Sequence, residues 1–138
     1  MEKFNFKKKF GQNFLKDVRV VERIVSVANI TKEDLVIEVG PGKGILTKEL
    51  ARRAKKVLCY EIDLELKEYL LSLQETHQNI EIIFEDFIKR DIHLDITKYE
   101  YKNVYFVSNV PYYITTPILM KIMNSHINFS KIVMMVQK

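Results

Sequence analysis

The feature that most constrains this chain is a cluster of glycines directly after an apolar segment. The chain has only four glycines, and three of them stand at alternate positions, Gly40, Gly42 and Gly44. The preceding residues 35–39 (LVIEV) are mostly apolar, which predicts a buried strand. Residues 45–54 that follow are predicted to be helical. Because glycine permits positive φ and a close approach of the backbone to a ligand, this order predicts a cradle for a nucleotide-like group. A tight turn that binds nothing is the alternative.

The rest of the chain alternates between predicted helices and strands. Residues 17–28 and 63–76 carry apolar side chains at helical spacing, and Asp63 is the predicted N-cap of the second segment. A polar connection at 31–34 and a less regular stretch at 85–101 interrupt the pattern. Further strands are predicted at 56–61, 80–84, 103–108 and 131–136, and a further helix at 116–125. This alternation predicts an α/β fold with a parallel sheet covered on both faces, in which ligands bind beyond the carboxyl ends of the strands.

Acidic residues stand near the ends of three successive predicted strands. Glu38 places a carboxylate near the glycine loop, where it would repel a phosphate but suit the sulfonium and ammonium groups of S-adenosylmethionine. Glu61 is positioned to accept both ribose hydroxyls, with Ile62 packing against the adenine. Asp86 is positioned to accept a hydrogen bond from the adenine amino group. Each carboxylate alone is more often a cap or a solvated charge, but three of them at successive strand ends beside a glycine loop are harder to explain in that way. The G-x-G-x-G spacing disfavours a dehydrogenase, because dinucleotide binders use G-x-G-x-x-G.

The segment Asn109-Val110-Pro111-Tyr112 is predicted to follow the fourth strand and to carry the target chemistry. The exocyclic amine of adenine is a poor nucleophile, and acceptors for its N–H bonds offset the charge that develops during attack. The Asn109 side-chain oxygen and the Val110 carbonyl are predicted to be those acceptors. Pro111 stiffens the turn, and Tyr112 offers a π-face on which an extruded base can stack. An ordinary loop with a packed tyrosine is the alternative.

The formal charge of +4 lies entirely at the N-terminus. Residues 1–23 contain seven Lys and Arg against three Asp and Glu, whereas residues 24–138 contain fifteen of each kind. Lys7, Lys8 and Lys9 stand at the centre of this basic segment and are predicted to contact RNA phosphates. A solvated tail that only aids solubility is the alternative.

Composition excludes several classes of protein. No apolar run is long enough to cross a bilayer, and the N-terminus lacks the apolar stretch of a signal peptide. The lone cysteine, Cys59, excludes an internal disulfide framework and lies in an apolar run, so we expect it to be buried. The histidines form no recognisable cluster, and no metal is expected. We therefore expect a cytoplasmic protein without membrane contact.

Four motifs resemble those of the ribosomal-RNA adenine N6-dimethyltransferase family along nearly the whole chain. They are Gly11-Gln12-Asn13-Phe14-Leu15, Glu38-Val39-Gly40-Pro41-Gly42, Glu61-Ile62-Asp63 and Asn109-Val110-Pro111-Tyr112. The resemblance implies the Rossmann-like fold of class I S-adenosylmethionine-dependent methyltransferases. It also implies that the cofactor is contacted by Asn13, Leu15, Gly40, Glu61, Asp86 and Asn109. Gly42, in the glycine loop, and Ile62, beside Glu61, are further expected cofactor contacts.

The family has two branches, and the chain is more similar to one of them. The segment 113–118 (YITTPI) and the Gly-Pro-Gly loop resemble the branch that dimethylates two adjacent adenosines near the 3′ end of 16S rRNA. We therefore expect small-subunit rRNA, within the immature 30S particle, as partner of a monomer. Methylation of 23S rRNA, which gives macrolide resistance, is one alternative. A non-catalytic RNA-binding module is another.

The chain is shorter than members of this family. They continue through further strands to a small helical domain, so we expect this chain to be a fragment truncated after the fifth strand, in which activity is in doubt. We divide it into a basic arm and helix at 1–30 and an S-adenosylmethionine-binding domain at 31–138.

Overall fold

The computed structural model describes residues 18–137, with side chains for residues 19–136, and contains one parallel sheet. The strands are β1 (Leu35–Val39), β2 (Lys56–Tyr60), β3 (Ile80–Ile83), β4 (Val104–Pro111) and β5 (Lys131–Gln137). Their order across the sheet is β3-β2-β1-β4-β5, and every neighbouring pair is parallel. The α/β fold with a parallel sheet that the alternation predicts is confirmed.

Helices connect the strands, and short 3₁₀ turns precede three of them. The helices are α1 (Val18–Ala28), α2 (Ile45–Arg53), α3 (Lys67–Thr76), α4 (Ile92–Ile96) and α5 (Thr115–Asn124). The 3₁₀ turns are Leu64–Leu66, Phe87–Lys89 and Tyr112–Ile114. The Asp63 carboxylate accepts the Glu65 N–H at 3.0 Å, so it caps the first 3₁₀ turn. The helix predicted at 63–76 is therefore α-helical only from Lys67.

Two apolar cores lie on opposite faces of the sheet. The five residues of β1 are all buried and alternate between the cores, which explains the nearly continuous apolar sequence of this central strand. One core contains apolar side chains of α1, α2 and α3, and the other contains those of α4 and α5. Each fully buried aliphatic side chain stabilises such a fold by about 1.5–3 kcal/mol. Because α1 shares its core with α2 and α3, it is packed onto the sheet. The division of the chain into two parts at residue 30 stays a prediction.

The strand order reverses at β1. From β1 the chain moves outward through β2 to β3 on one side, and then returns to place β4 and β5 on the other side. The helices after β1 and β2 cover one face, whereas those after β3 and β4 cover the other. The crevice at such a reversal, beyond the carboxyl ends of the strands, is where ligands bind in open parallel sheets.

The fourth strand is longer than predicted. The prediction ended it at residue 108, but Asn109, Val110 and Pro111 continue the strand and pair with residues 135–137 of β5. On the other side, β1 ends opposite Ser108. The last three residues of β4 therefore have a paired neighbour on one side and lie beside the crevice on the other.

No helix within residues 18–137 is both long enough and apolar enough to span a lipid bilayer.

Candidate active site

A cavity of about 500 Å³ opens at the carboxyl edge of the sheet, where the strand order reverses. This volume falls within the range of about 300–1,000 Å³ that is usual for small-molecule sites. Its walls come from the loops after β1, β2 and β3, from the end of β4 and from the start of α5. Eight residues predicted from the sequence line it: Gly40, Gly42, Glu61, Ile62, Asp86, Asn109, Val110 and Pro111.

The glycine loop lies directly against the end of β4. A Cβ added to Gly40 would come within 3.3 Å of both the Asn109 carbonyl oxygen and Val110 Cγ1. Such contacts are tight for real Cβ atoms, and Gly40 also has a φ of +78°. The absence of a side chain at this position therefore lets the loop after β1 close onto the strand that carries the Asn109 motif.

Glu61 organises the loops on both sides of the cavity. Its side chain is buried, and its two carboxylate oxygens accept the N–H groups of Gly42 at 3.3 Å and of Asp63 at 3.0 Å. Since a carboxylate oxygen can accept more than one hydrogen bond, these contacts are compatible with the predicted ribose contact. The carboxylate thus holds the glycine loop in place, a role that its position in the sequence did not indicate.

Ile62 and Asp86 both line the cavity. The Ile62 side chain is 68% exposed, which is unusual for isoleucine and leaves an apolar surface available at the cavity wall. Asp86 begins the 3₁₀ turn Phe87–Lys89, and its Oδ1 accepts the Ile88 N–H at 3.0 Å. No group within the described residues donates a hydrogen bond to Oδ2 of Asp86, so this oxygen can accept one from a ligand.

The Asn109 side chain has an unsatisfied acceptor. Asn109 is 9% exposed, and within the described residues its Oδ1 is buried without a hydrogen-bond partner. A buried amide oxygen without a partner is costly, and such atoms in native proteins call for an explanation. Because Asn109 lines the cavity, a donor from a bound molecule would satisfy it.

Tyr112 differs from the other three residues of its motif. It is 58% exposed and is not among the residues that line the cavity, whereas its neighbour Tyr113 is. The two rings pack edge to face with their centroids 5.8 Å apart. Tyr112 therefore presents its ring at the outer surface beside the cavity mouth.

Glu38 does not contact the cavity, in contrast to the expectation that its carboxylate faces a cationic ligand. Its strand position directs it to the face that α2 covers, where it is 1% exposed. Its Oε1 accepts hydrogen bonds from Thr47 Oγ1 at 2.6 Å and from Cys59 Sγ at 3.7 Å. Burial raises the pKa of Glu38 to about 7. Cys59 is buried as expected, and burial and the neighbouring Glu38 raise the pKa of its thiol.

Several lining residues were missed in the sequence. Most of them flank predicted residues in the same loops, so extending each motif by one or two positions would have found them. These missed residues are Lys43, Asp63, Leu66, Glu85, Phe87, Ile88, Tyr113, Ile114 and Pro117. Tyr60, the last residue of β2, directly precedes the predicted Glu61 and would have been found in the same way. The predicted residues Lys7, Lys8, Lys9, Asn13 and Leu15 lie outside the described part of the chain.

The lining fits an adenosyl group better than a phosphorylated nucleotide. Glu61, Asp63, Glu85 and Asp86 place four carboxylates around it, against Lys43 among the described lining residues. Carboxylates accept hydrogen bonds from hydroxyl and amino groups and repel phosphates. The unsatisfied oxygen of Asn109 lies in the same cavity and calls for a donor. S-adenosylmethionine offers hydroxyl groups, an amino group and positive charge.

Known proteins are similar to this chain in sequence and in structure. The ribosomal RNA small subunit methyltransferase A of Leuconostoc mesenteroides is 48% identical over 134 residues, which are 96% of this chain and 45% of that protein. The 23S rRNA methyltransferase ErmE is 32% identical with a TM-score of 0.71, over 87% of this chain and 46% of that one. A dimethyladenosine transferase from Plasmodium falciparum is 31% identical with a TM-score of 0.69, over 86% and 41%.

The chain thus spans about half the length of the curated relatives it matches. Its sheet and helices are those of the class I S-adenosylmethionine-dependent rRNA methyltransferases. Residues 3–138 match the family described as Ribosomal RNA adenine dimethylase, and the chain therefore belongs to that family.

Proposed function

We propose that the protein containing this chain transfers methyl groups from S-adenosylmethionine to N6 of two adjacent adenosines near the 3′ end of 16S rRNA. The observation that carries the proposal is the buried, unsatisfied Asn109 Oδ1 in the cavity at the strand-order reversal. We further infer that the protein acts in the cytoplasm as a monomer on the immature 30S particle. The small-subunit assignment is supported by the name of the Leuconostoc mesenteroides relative.

The loops after β1, β2 and β3 bind and orient the cofactor in this proposal. Glu61 accepts the ribose hydroxyls while it holds the Gly42 N–H, so ligand and loop share one anchor. Asp86 accepts the adenine amino group through Oδ2, and Ile62 and Ile88 contact the faces of the base. When bound, S-adenosylmethionine supplies a methyl group activated by a positively charged sulfur.

The end of β4 binds and activates the target amine. Asn109 Oδ1 and the Val110 carbonyl oxygen accept the two N–H bonds of adenine N6 and hold its lone pair toward the methyl group. Both oxygens offset the positive charge that develops on N6 as the new N–C bond forms and the C–S bond of the donor breaks, and N6 then releases one proton to solvent. Tyr112, exposed beside the cavity mouth, stacks on the extruded adenine. Pairing with β5 keeps Asn109, Val110 and Pro111 in one geometry, so positioning contributes to the rate.

Cofactor binding is tested with the 138-residue chain itself. Calorimetry should detect binding of S-adenosylhomocysteine and none of NAD, because the carboxylate-rich lining repels a pyrophosphate. Glu61→Ala should weaken the binding, since it removes both the ribose acceptor and the anchor of the glycine loop. Binding of NAD in preference to S-adenosylhomocysteine would contradict the proposal.

Methyl transfer is tested in a chimera in which this chain replaces the matching 134 residues of the Leuconostoc mesenteroides relative. Labelled S-adenosylmethionine should transfer methyl groups to immature small subunits, and Asn109→Ala should lower the rate by about 100- to 1,000-fold. Asn103→Ala is the matched control, because Asn103 stands before β4 at the opposite edge of the sheet. Equal rates for the two variants would exclude Asn109 from the reaction.

The same assay distinguishes two other functions. The structural similarity to ErmE supports methylation of 23S rRNA as a second candidate, which predicts label in protein-free large-subunit RNA instead of small subunits. Binding of RNA without any label, while the unmodified relative labels it, would indicate a non-catalytic RNA-binding module.

A further inference from the structure

A buried carboxylate is held by one residue that lines the cavity, Tyr60, and by one residue that ends the turn carrying Asp86, Arg90. Asp95, in α4, is buried in the described structure, and its Oδ2 accepts hydrogen bonds from the Tyr60 hydroxyl at 2.8 Å and from Arg90 Nε at 3.1 Å. Its Oδ1 is paired with Arg90 Nη2. Arg90 thus binds both oxygens of the carboxylate through its planar fork, which fixes the position of the guanidinium group.

Arg90 also closes the turn that contains Asp86. Its Nη1 contacts Glu85 Oε2 at 2.8 Å, so an ion pair joins the two ends of the six-residue segment 85–90. Inside this segment, the Arg90 N–H donates to the Phe87 carbonyl at 3.2 Å and Asp86 Oδ1 accepts the Ile88 N–H. The turn that carries the Asp86 carboxylate into the cavity is therefore attached to Asp95 through Arg90.

Tyr60 connects the same turn to the sheet. Its ring packs edge to face on Phe87 with the centroids 5.1 Å apart, while its hydroxyl donates to Asp95. Tyr60 and Phe87 both line the cavity, but Arg90 and Asp95 do not. Burial alone raises the pKa of Asp95, but hydrogen bonds from Arg90 and Tyr60 bring it below its usual value, so the carboxylate stays charged at neutral pH. Removing Arg90 would leave this buried charge with one of its two donor residues.

We propose that Arg90 is a positioning residue for adenine recognition, which holds the turn 85–90 so that Asp86 Oδ2 meets the amino group of the base. This inference rests on the proposed function, because there Asp86 is the acceptor for that amino group. Arg90 acts through Asp86 and does not touch the ligand. Loss of the Arg90 guanidinium group removes the bond between the turn and Asp95. The contact of Asp86 Oδ2 with the base, which distinguishes an amino group from an oxo group, is then weakened.

The test compares two ligands that differ at that one group. Calorimetry on the 138-residue chain measures binding of S-adenosylhomocysteine and of S-inosylhomocysteine, in which an oxo group replaces the amino group. The unchanged chain should prefer the adenosyl ligand. Arg90→Met should lower affinity for the adenosyl ligand by about tenfold, the worth of one charged hydrogen bond, and change affinity for the inosyl ligand by no more than about twofold. Asp95→Asn should also reduce the preference for the adenosyl ligand over the inosyl ligand.

A surface ion pair on α2 provides the matched control. Arg52→Met makes the same change in a surface ion pair with Glu49 on α2, and it should preserve the preference. Equal losses for both ligands in Arg90→Met, or an unchanged preference, would overturn the inference. If Arg90→Met fails to fold, Arg90→Lys keeps the positive charge but cannot bind both carboxylate oxygens in the same planar geometry, and a preference equal to that of the unchanged chain would overturn the inference. Failure of the unchanged chain to bind S-adenosylhomocysteine would instead overturn the proposed function, and this inference with it.

Discussion

At the scale of the residue, Glu38 lies in an environment that disfavours its charge. It is fully enclosed between β1, β2 and α2, and within the described residues its hydrogen bonds come from neutral donors, Thr47 and Cys59. Burial is the main reason that its pKa is raised from 4.5 to about 7, and the nearby Glu61 raises it further. Neutral hydrogen-bond donors stabilise a buried carboxylate less than a cationic partner does, so its ionisation weakens the fold.

This burial predicts a pH dependence of stability. Because the folded pKa lies above the unfolded one, the folded state keeps a proton on Glu38 that the unfolded state releases. The free energy of unfolding should therefore fall by at most about 3 kcal/mol as pH rises from about 4.5 to about 7. Above that pH it should stay level. Glu38→Gln should remove this decline. Urea unfolding at about pH 5 and about pH 8 measures it.

Glu81 provides the control for that experiment. It is only partly buried, and although burial raises its pKa, hydrogen bonds from Lys98 and Tyr99 bring the pKa below 4.5. Its contribution to stability should be lost only in acid, so Glu81→Gln should keep the decline between about pH 5 and about pH 8. If the stability of Glu38→Gln falls between about pH 5 and about pH 8 as much as that of the unchanged chain, the raised pKa of Glu38 is wrong.

Residue types at strand ends predicted several residues of the cavity wall but not the direction of each side chain. Glu61 and Asp86 follow strands, so their placement at the carboxyl edge follows from the parallel sheet alone. Glu38 lies inside β1, where a shift of one position selects the other face of the sheet. The hydroxyl of Thr47 that satisfies it is on α2, and no local pattern links two such positions.

At the scale of the element, the start of α2 depends on a glycine that packs against α3. Gly44 has a φ of +81°, and an added Cβ would lie 2.5 Å from Leu73 Cδ2 in the core. Gly44→Ala should destabilise the fold by about 2–4 kcal/mol, through left-handed backbone strain together with displacement of Leu73. Denaturant unfolding measures the loss.

Gly42→Ala separates the two contributions. Gly42 also has positive φ, but an added Cβ would meet nothing within 4 Å, so this variant carries backbone strain without a steric clash. It should cost about 1–2 kcal/mol. Combining Gly44→Ala with Leu73→Ala should show a coupling of about 1 kcal/mol that relieves the clash. Additive effects in the double variant would mean that α2 and α3 do not meet at this point.

The end of β4 shows why element boundaries were harder to predict than element types. Asn109 and Pro111 are poor strand formers, and their residue types indicated a turn. Pairing with Met135 and Gln137 extends the strand through them, and this partner is more than twenty positions away in the sequence. Proline is tolerated there because β1 has already ended, so no hydrogen-bonded neighbour on that side requires its missing N–H.

At the scale of the whole molecule, opposite charges separate along the sequence. The carboxylates of the cavity line the carboxyl edge of the sheet, whereas the formal excess of positive charge belongs to residues 1–23. The family resemblance, which the match over residues 3–138 confirms, was needed to predict roles for Asn13 and Leu15, since neither has a distinctive residue type or spacing. The arm at 1–30 stays a proposal based on charge.

That proposal predicts how salt affects RNA binding. If Lys7, Lys8 and Lys9 contact phosphates, replacing all three with Gln removes up to three contacts. Fewer counterions are then released from the RNA on binding. The slope of log K against log salt should become shallower by about 2–3. Fluorescence anisotropy of the chimera on small-subunit RNA, across a salt series, measures the slope.

The matched control removes the same charge elsewhere. Lys32, Lys55 and Lys102 are exposed and stand before β1, β2 and β4, at the amino edge of the sheet opposite the cavity. Replacing these three with Gln changes net charge by the same amount, so long-range attraction falls equally. Only the loss of local phosphate contacts differs between the two triple variants. Equal slopes in both would mean that the N-terminal lysines are a solvated tail, and a shallower slope in the N-terminal variant alone would support direct contacts between those lysines and RNA phosphates.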